Sequence, residues 1–530
     1  MPNDTISYTA LYLEAPYNCN AQGYEFELRN PYSVIDHFLS KNCFRYVSGL
    51  FPGKTYHWRY RVLFPAKSKS EWSKWINFEV ANIQCLDKNL YNITLSNHLS
   101  EKLNPLFFID GLKSLVDKNF NIIWSLPYAE KEGDKRIDYR DFRMLPNGHI
   151  SFIHNGEPKE IDLRGNLIWH KTPTDKYYFH HDLKTLANGN KIFLAEKVIS
   201  QPITKRVTYL DSAFAKYPPI PDSLQSILYD YSCIEEYNLK GEKVWSWCSD
   251  SLFNDQDFYC TRKPKNGFPN GNFHSNAFCI DEKTNQIYLG FRDISRIIQI
   301  DKATGKATNI LPNNNCRHPF FMYQHEMQLI DSNHLLVFSN NACGEVDNGA
   351  TAKPSSVVCL CLTPQIKKEW EIVCDEEQNT LVHAMGGVDK INDSLLLINL
   401  GTNNRTIVKN LKTGKIDWSL NIQYLKDGKI IGEPIRSSYR SHVVNSLYPS
   451  YSYVGLDKRS LYIANEANNK QTYVISISDT KGNIVWESNQ TVLSNSNKTI
   501  TLHSKLLLPQ YSIAVYATTY YRTLVKVIKL

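Results

Sequence analysis

The chain reads as all-β: a six-bladed β-propeller behind a small N-terminal β-sandwich. Three observations predict this. A turn phrase recurs six times, a strand phrase ending in tryptophan recurs beside it, and the aromatic share of 12%, with 32 Tyr, favours strands. At 530 residues the length suits one large domain and one small one.

Residues 1–83 lack both phrases. They carry "GLFPGKTYHWRYRVLF" and "SEWSKWINFEV", a Pro-Gly turn before an alternating strand with Trp58, then Trp72 and Trp75. This pattern is similar to a fibronectin III-like β-sandwich, whose aromatics fill the space between two sheets, and all three tryptophans are expected in that core. The segment reads as a spacer or lid wall.

Residues 84–530 carry the repeats. The turn phrase is "MLPNGHISFIH", "TLANGNKIFLA", "IDEKTNQIYLGF", "LIDSNHLLVFS", "KINDSLLLINL" and "LLPQYSIAVYA". Asn-Gly and its relatives supply the positive φ of a tight hairpin, and the flanking alternation buries one face of each hairpin. The strand phrase ends at Trp124, Trp169, Trp245, Trp370, Trp418 and Trp486; "KATGKATNI" keeps the glycine without the tryptophan. A sheet of about 45 residues cannot bury its own faces, so such units stack radially as blades. Two long insertions, around "QPITKRVTYLDSAFAKYPPIPDSLQSI" and "CSDSLFNDQDFYCTRKPKNGFPNGN", enlarge one unit, as lids and binding loops do.

Polar residues interrupt the pattern just ahead of four turns. They are His180, His181 and Asp182; His274 and Asn276, with Arg292 after the strand; Gln324, His325 and Glu326; and His383. Each histidine lies about eight to eleven residues before its turn, a shared phase that independent surface histidines would not keep. In a propeller such positions converge on the axis. His180, as the strand neighbour of His181, is expected to face outward.

Composition narrows the function. Lys+Arg (60) and Asp+Glu (53) are interspersed, giving a net charge of +7 without the long basic run that nucleic-acid binding needs. No apolar run is long enough to span a membrane, and the N-terminus lacks the pattern of a signal peptide. Twelve cysteines include no CxxC pair, and one or two disulfides, for instance Cys19 with Cys43, are compatible with their placement. Histidines gathered with one arginine fit two chemistries. One is a three-histidine metal site. The other is transfer of an anionic tetrahedral group, with a neutral imidazole as nucleophile and fixed donors on the oxyanion. Arg292 suits the second, since a guanidinium binds oxyanions and repels a metal ion.

On "HHDLKTLANGNKIFL", "FHSNAFCIDEKTNQIYLGFRDISRIIQIDKATGK" and "QHEMQLIDSNHLLVFSNN" the chain resembles the bacterial aryl sulfate sulfotransferases, the nucleotide-independent arylsulfotransferase family, over about residues 100–530. The resemblance implies a propeller that moves a sulfuryl group from a phenolic sulfate ester to a phenol, by a ping-pong route through a sulfohistidine. His325 would be the nucleophile, His274 and Arg292 would hold the sulfuryl oxygens, and His181 would complete that cradle or shuttle the phenolic proton. Asn276, Gln324 and His383 are expected to line the substrate site. No metal and no cofactor is implied, the partners are the two small phenolic substrates, a homo-oligomer is compatible, and the location is periplasmic or secreted. The chain departs from its relatives at Ser339, where they tend to carry aspartate, and around Cys316 and His318. The rival readings are a propeller polysaccharide lyase or metal-dependent hydrolase acting on an anionic substrate, and a non-catalytic propeller binding module.

Overall fold

The computed structural model describes all residues except 1–3, 31, 33–34, 84–86, 128–138, 174–176, 203–225, 253–270, 273, 293–294, 311–319, 342–352, 364–365, 432–437 and 520–522. Both long insertions, Cys316 and His318 lie largely or wholly outside the described residues.

Among the described residues, six sheets share one antiparallel plan. Sheet 1 joins Leu106–Ile109, Ser114–Asp117 and Ile122–Ser125 to a strand from much later in the chain, Ser441–Val444. Sheets 2 to 6 are consecutive meanders that begin with Tyr139–Met144, Tyr177–Thr185, Ser275–Asp281, Glu326–Asp331 and Gly387–Asn392. These first strands touch one another in that order. Gly387–Asn392 then meets Ser441–Val444, which meets Tyr139–Met144, so the circle closes in a propeller-like ring.

Both repeated phrases map onto this plan. Five of the six turn phrases join the first strand of a sheet to its second, and Gly148 and Gly189 supply φ of +87° and +89° at the two Asn-Gly turns. Five of the six tryptophan phrases lie in the ring, Trp169, Trp245, Trp370 and Trp418 on the fourth strand of their sheets and Trp124 on the third of sheet 1. Trp124 Nε1 donates to Leu163 O at 2.8 Å, Trp169 Nε1 to Asn238 O at 3.2 Å, Trp245 Nε1 to Lys302 O at 3.0 Å and Trp418 Nε1 to Lys118 O at 2.8 Å. Each acceptor stands in a turn of the next sheet around the ring, so the repeat exists to clamp neighbours together.

Near the axis, splayed first strands cannot share a backbone ladder, and their free amides need other acceptors. Carboxylates serve. Asp110 accepts from the amides of Asp141 and Phe142, Asp141 from Leu183, Asp182 from Phe278 and Asp389 from Val443.

The stretch expected to be one propeller, 84–530, carries more than the ring. Beyond Val444 the strands pair only among themselves, in one sheet of Ser452–Asp457, Ser460–Asn465 and Ser496–Thr501 and another of Ile484–Val492, Gln471–Ser478, Ser512–Ala517 and Thr523–Lys529. "LLPQYSIAVYA" and Trp486 fall there. Their hairpin chemistry is local and does not choose the sheet they join. Residues 4–80 form a five-stranded sheet and a two-stranded one, against which this C-terminal region packs through Tyr12 on Tyr451 and Tyr17 on Tyr462.

Trp58 is buried against Phe26, as expected. Trp72 and Trp75 are not in the core. They alternate along the sheet face with arginines, Arg61 and Arg59 over Trp72 at 4.4 and 4.6 Å, and Arg59 and Arg29 over Trp75 at 4.5 and 4.7 Å. A stretch without strand pairing has no alternation to bury its aromatics, and cation–π stacking holds them instead.

Candidate active site

Each first strand reaches the axis through an irregularity. The ladder of sheet 2 shifts register between Arg140 and Arg143, that of sheet 3 between His180 and Leu183, and that of sheet 4 between Ser275 and Ala277. A bulge inserts a residue and re-aims its side chain. Asp141, His181, His274, Tyr323 and Met385 take left-handed backbone, φ +58°, +61°, +54°, +51° and +63°. Strain of roughly 1–3 kcal/mol per such residue persists only where surrounding structure enforces it, and it clusters at functional sites.

Four expected residues are brought together. The rings of His181 and His274 meet edge to face with centroids 4.9 Å apart. The backbone amide of Arg292 donates to His274 O at 3.1 Å. Burial, then His180, Arg140, His274 and His325, hold the pKa of His181 well below the usual histidine range. Burial, then Arg292, lowers that of His325 to about 3, against the opposing pull of Asn340 and Tyr323 O. His181 and His325 are therefore neutral imidazoles near pH 7.

His180 does not face outward. It is buried, its ring centroid lies 4.6 Å from that of His181, and the two Nδ1 atoms are in hydrogen-bond contact. The bulge breaks the alternation that predicted otherwise.

Three expected substrate-site residues are placed differently. Asn276 is fully buried and donates through Nδ2 to Gln324 O at 2.9 Å. Gln324, also fully buried, donates through Nε2 to Phe291 O at 3.1 Å and Arg296 O at 3.0 Å. Both side chains tie sheets 4 and 5 together. His383 is exposed, and from its loop it is the backbone oxygens of Val382 and Met385 that reach toward His325, by accepting from Asn340 at 3.0 and 2.9 Å. Asn340 in turn faces His325, with Oδ1 2.6 Å from Nδ1. The Ser339 hydroxyl accepts from the amide of Met322 at 2.9 Å and donates to Asn341 Oδ1 at 2.7 Å.

Sequence reasoning missed the floor. Arg440, fully buried, crosses the axis just before the closing strand. Its Nη1 contacts Asp141 at 2.9 Å and Asp182 at 3.1 Å, and its Nη2 donates to Asn276 O at 2.9 Å and His325 O at 3.2 Å. One guanidinium thus holds four sheets in place beneath the histidines. Below it, an axial cavity of about 230 Å³ opens at the far ends of the first strands, lined by Arg143, Lys184, Glu326, Gln328 and His442 among others. A larger cavity, about 300 Å³, lies at the Asn147–His149 turn and against the C-terminal sheets, and takes in none of the histidine cluster.

Asp141, Glu326 and His442 place ligand atoms within 4.8 Å of one another, as a metal site would. Positive charge already occupies that space. Arg143 Nη2 reaches Asp141 at 2.9 Å and Glu326 at 3.3 Å, beside Arg440. Burial and Arg143 oppose protonation of His442, but Asp141 on one ring nitrogen and Asp389 toward the other raise its pKa to about 9, so neither nitrogen offers a lone pair near pH 7. The group fits an ion-pair network and does not fit a divalent cation.

Residues 92–214 match the arylsulfotransferase (ASST) family model. The match covers the first three strands of sheet 1, sheet 2 and the start of sheet 3, with His181; the closing strand Ser441–Val444, His274, Arg292 and His325 lie beyond it. No curated protein matches the chain. Similar solved structures include a protein of unknown function from Bacteroides caccae (12% identity, 68% of this chain and 100% of that one, TM-score 0.38). The Pan2 WD40 domain of Neurospora crassa is similar at 8% identity over 71% and 93% of the two chains, TM-score 0.33. An auxiliary nutrient binding protein from Bacteroides ovatus gives 10% over 87% and 92%, TM-score 0.33.

Proposed function

We propose that the chain is an aryl sulfate sulfotransferase built on a six-bladed propeller, with the ring as catalytic domain and a fibronectin III-like sandwich at its N-terminus. The observation that carries this is a neutral, buried His325 set among His181, His274 and Arg292. The imidazole of His325 attacks the sulfur of a phenolic sulfate. The S–O bond breaks and its electron pair leaves with the phenolate, giving a sulfohistidine. A second phenol then takes the sulfuryl group and regenerates the imidazole. Arg292 and His274 hold the sulfuryl oxygens through a loose transition state in which positioning and fixed donors supply most of the acceleration. His181, hydrogen-bonded to His180, completes that cradle or shuttles the acceptor's proton.

The ASST match supports small phenolic substrates. No helix among the described residues is long and apolar enough to cross a membrane. Cys19 and Cys43, the pair considered from sequence, are not bonded to each other, whereas Cys233 and Cys248 form a disulfide between adjacent strands. Such a bond fits an oxidising compartment and so a periplasmic or secreted protein.

The test is transfer from 4-nitrophenyl sulfate to phenol by purified protein in the presence of a chelator. Beyond a first stoichiometric release of one 4-nitrophenol per protein, 4-nitrophenol should be produced only when the acceptor is present, and His325→Ala should abolish both phases. Loss of activity on chelation, or full activity in His325→Ala, would overturn the reading.

A further inference from the structure

Asn340 was singled out by no sequence pattern, yet it is the side chain in closest polar contact with His325. It is fully buried immediately past the strand His334–Ser339 of sheet 5. Both hydrogens of its amide are engaged, one on Val382 O and one on Met385 O. That fixes the orientation of the group: nitrogen faces the loop of sheet 6, and oxygen faces the imidazole. A carboxamide oxygen can only accept. The other neighbour of the same ring nitrogen, Tyr323 O at 3.2 Å, also only accepts. Among the described residues, two acceptors converge on Nδ1 and no donor does.

We propose that Asn340 is a positioning residue that locks His325 as the Nδ1–H tautomer, leaves Nε2 as the atom that takes the sulfuryl group, and keeps the sulfohistidine in its reactive, protonated form. This deepens the sulfotransferase reading and rests on it for the second half.

The first half is tautomer control. With the proton on Nδ1, the Nε2 lone pair is available without a general base, which a carboxylate or second histidine must supply for a hydroxyl nucleophile. The second half follows from what an amide cannot do. When Nε2 bonds to sulfur and the S–O bond to the aryl group breaks, the neutral ring becomes an imidazolium with SO₃⁻ on Nε2 and the proton still on Nδ1. A carboxylate opposite Nδ1 would accept that proton and leave a neutral N-sulfoimidazole, whose departing group in the next step would be an imidazolate. Asn340 cannot accept it. The leaving group in transfer to the phenol therefore stays a neutral imidazole, and its electron pair returns to Nε2 as the N–S bond breaks. An amide at this position shortens the life of the intermediate and favours handing the group onward.

Two measurements test this on the full chain. In ¹⁵N-labelled wild-type protein without substrate, imidazole NMR should give His325 a proton on Nδ1 and an unprotonated Nε2 at pH 7. A proton on Nε2 would overturn the proposal without bearing on the activity. In Asn340→Asp, which leaves Val382 O and Met385 O without their donors and whose fold is checked by circular dichroism, discharge of the sulfo-enzyme by phenol should be about tenfold or more slower than in the wild type. The sulfo-enzyme should then accumulate to a level detectable by intact-mass analysis after mixing with 4-nitrophenyl sulfate. Unchanged discharge and no accumulation in a folded variant would overturn the second half. Failure of the wild type to form any sulfo-enzyme, with the Nδ1–H tautomer present, would instead count against the sulfotransferase reading.

Discussion

His325 shows how burial sets chemistry. An exposed imidazole near its ordinary pKa of 6.5 would lose nucleophilicity in mild acid, but burial and Arg292 bring this one to about 3. Turnover should therefore show no acidic limb centred near 6.5 and stay flat down to about pH 5; a kcat profile that halves near pH 6.5 would contradict the neutral-site account. On the proposed mechanism Arg292 forks two sulfuryl oxygens, so Arg292→Lys, which keeps the charge and loses the fork, should lower kcat by about 10²–10³ with the fold intact by circular dichroism. Arg440 sits lower and does a different job. Replacing it with Met would leave Asp141 and Asp182 buried without their shared cation and should destabilise the fold by about 3–5 kcal/mol in denaturant titrations.

Among elements, the tryptophan strands are the repeat whose purpose is visible only in three dimensions. Trp418→Phe removes the indole donor that joins sheet 6 to Lys118 O of sheet 1 while keeping much of the ring's bulk, and should cost about 1 kcal/mol by the same titration. The first strands explain what was legible in the sequence. His181, His274 and His325 each stand a short, similar distance ahead of a hairpin turn, and local spacing is what a sequence displays. Arg440 precedes Ser441–Val444, which pairs with a strand more than 300 residues earlier and has no turn phrase to mark its phase. The bulge at His181 is equally hidden, so His180 was read as facing outward. Asn276 and Gln324 keep the right phase, but an amide in phase can hold backbone as readily as substrate, and here both hold backbone.

At the scale of the molecule, a ring closed by a late strand carries its buried charges on the axis, and this shapes stability against pH. His180 and His325 have folded pKa values of about 3, and that of His181 is also lowered; an unfolded histidine titrates near 6.5. Their unfolded forms bind more protons in acid, so stability is complete above 6.5 and is lost as pH falls from there toward 3. His442, raised to about 9, has the opposite sign: its contribution is complete below 6.5 and is lost as pH rises through 9. Melting temperature should therefore peak near neutrality and fall on both sides, and His442→Gln should flatten the alkaline fall; a melting temperature unchanged between pH 6.5 and 4 would contradict the buried neutral cluster.

The most direct test of the whole is where the sulfuryl group rests between the two half-reactions. Protein mixed with 4-nitrophenyl sulfate without acceptor, quenched and digested, should carry one SO₃ on the peptide containing His325 and lose it when phenol is added before the quench. A modified residue outside the His181, His274, His325 cluster, or release of 4-nitrophenol with no modified peptide at any quench time, would contradict the account.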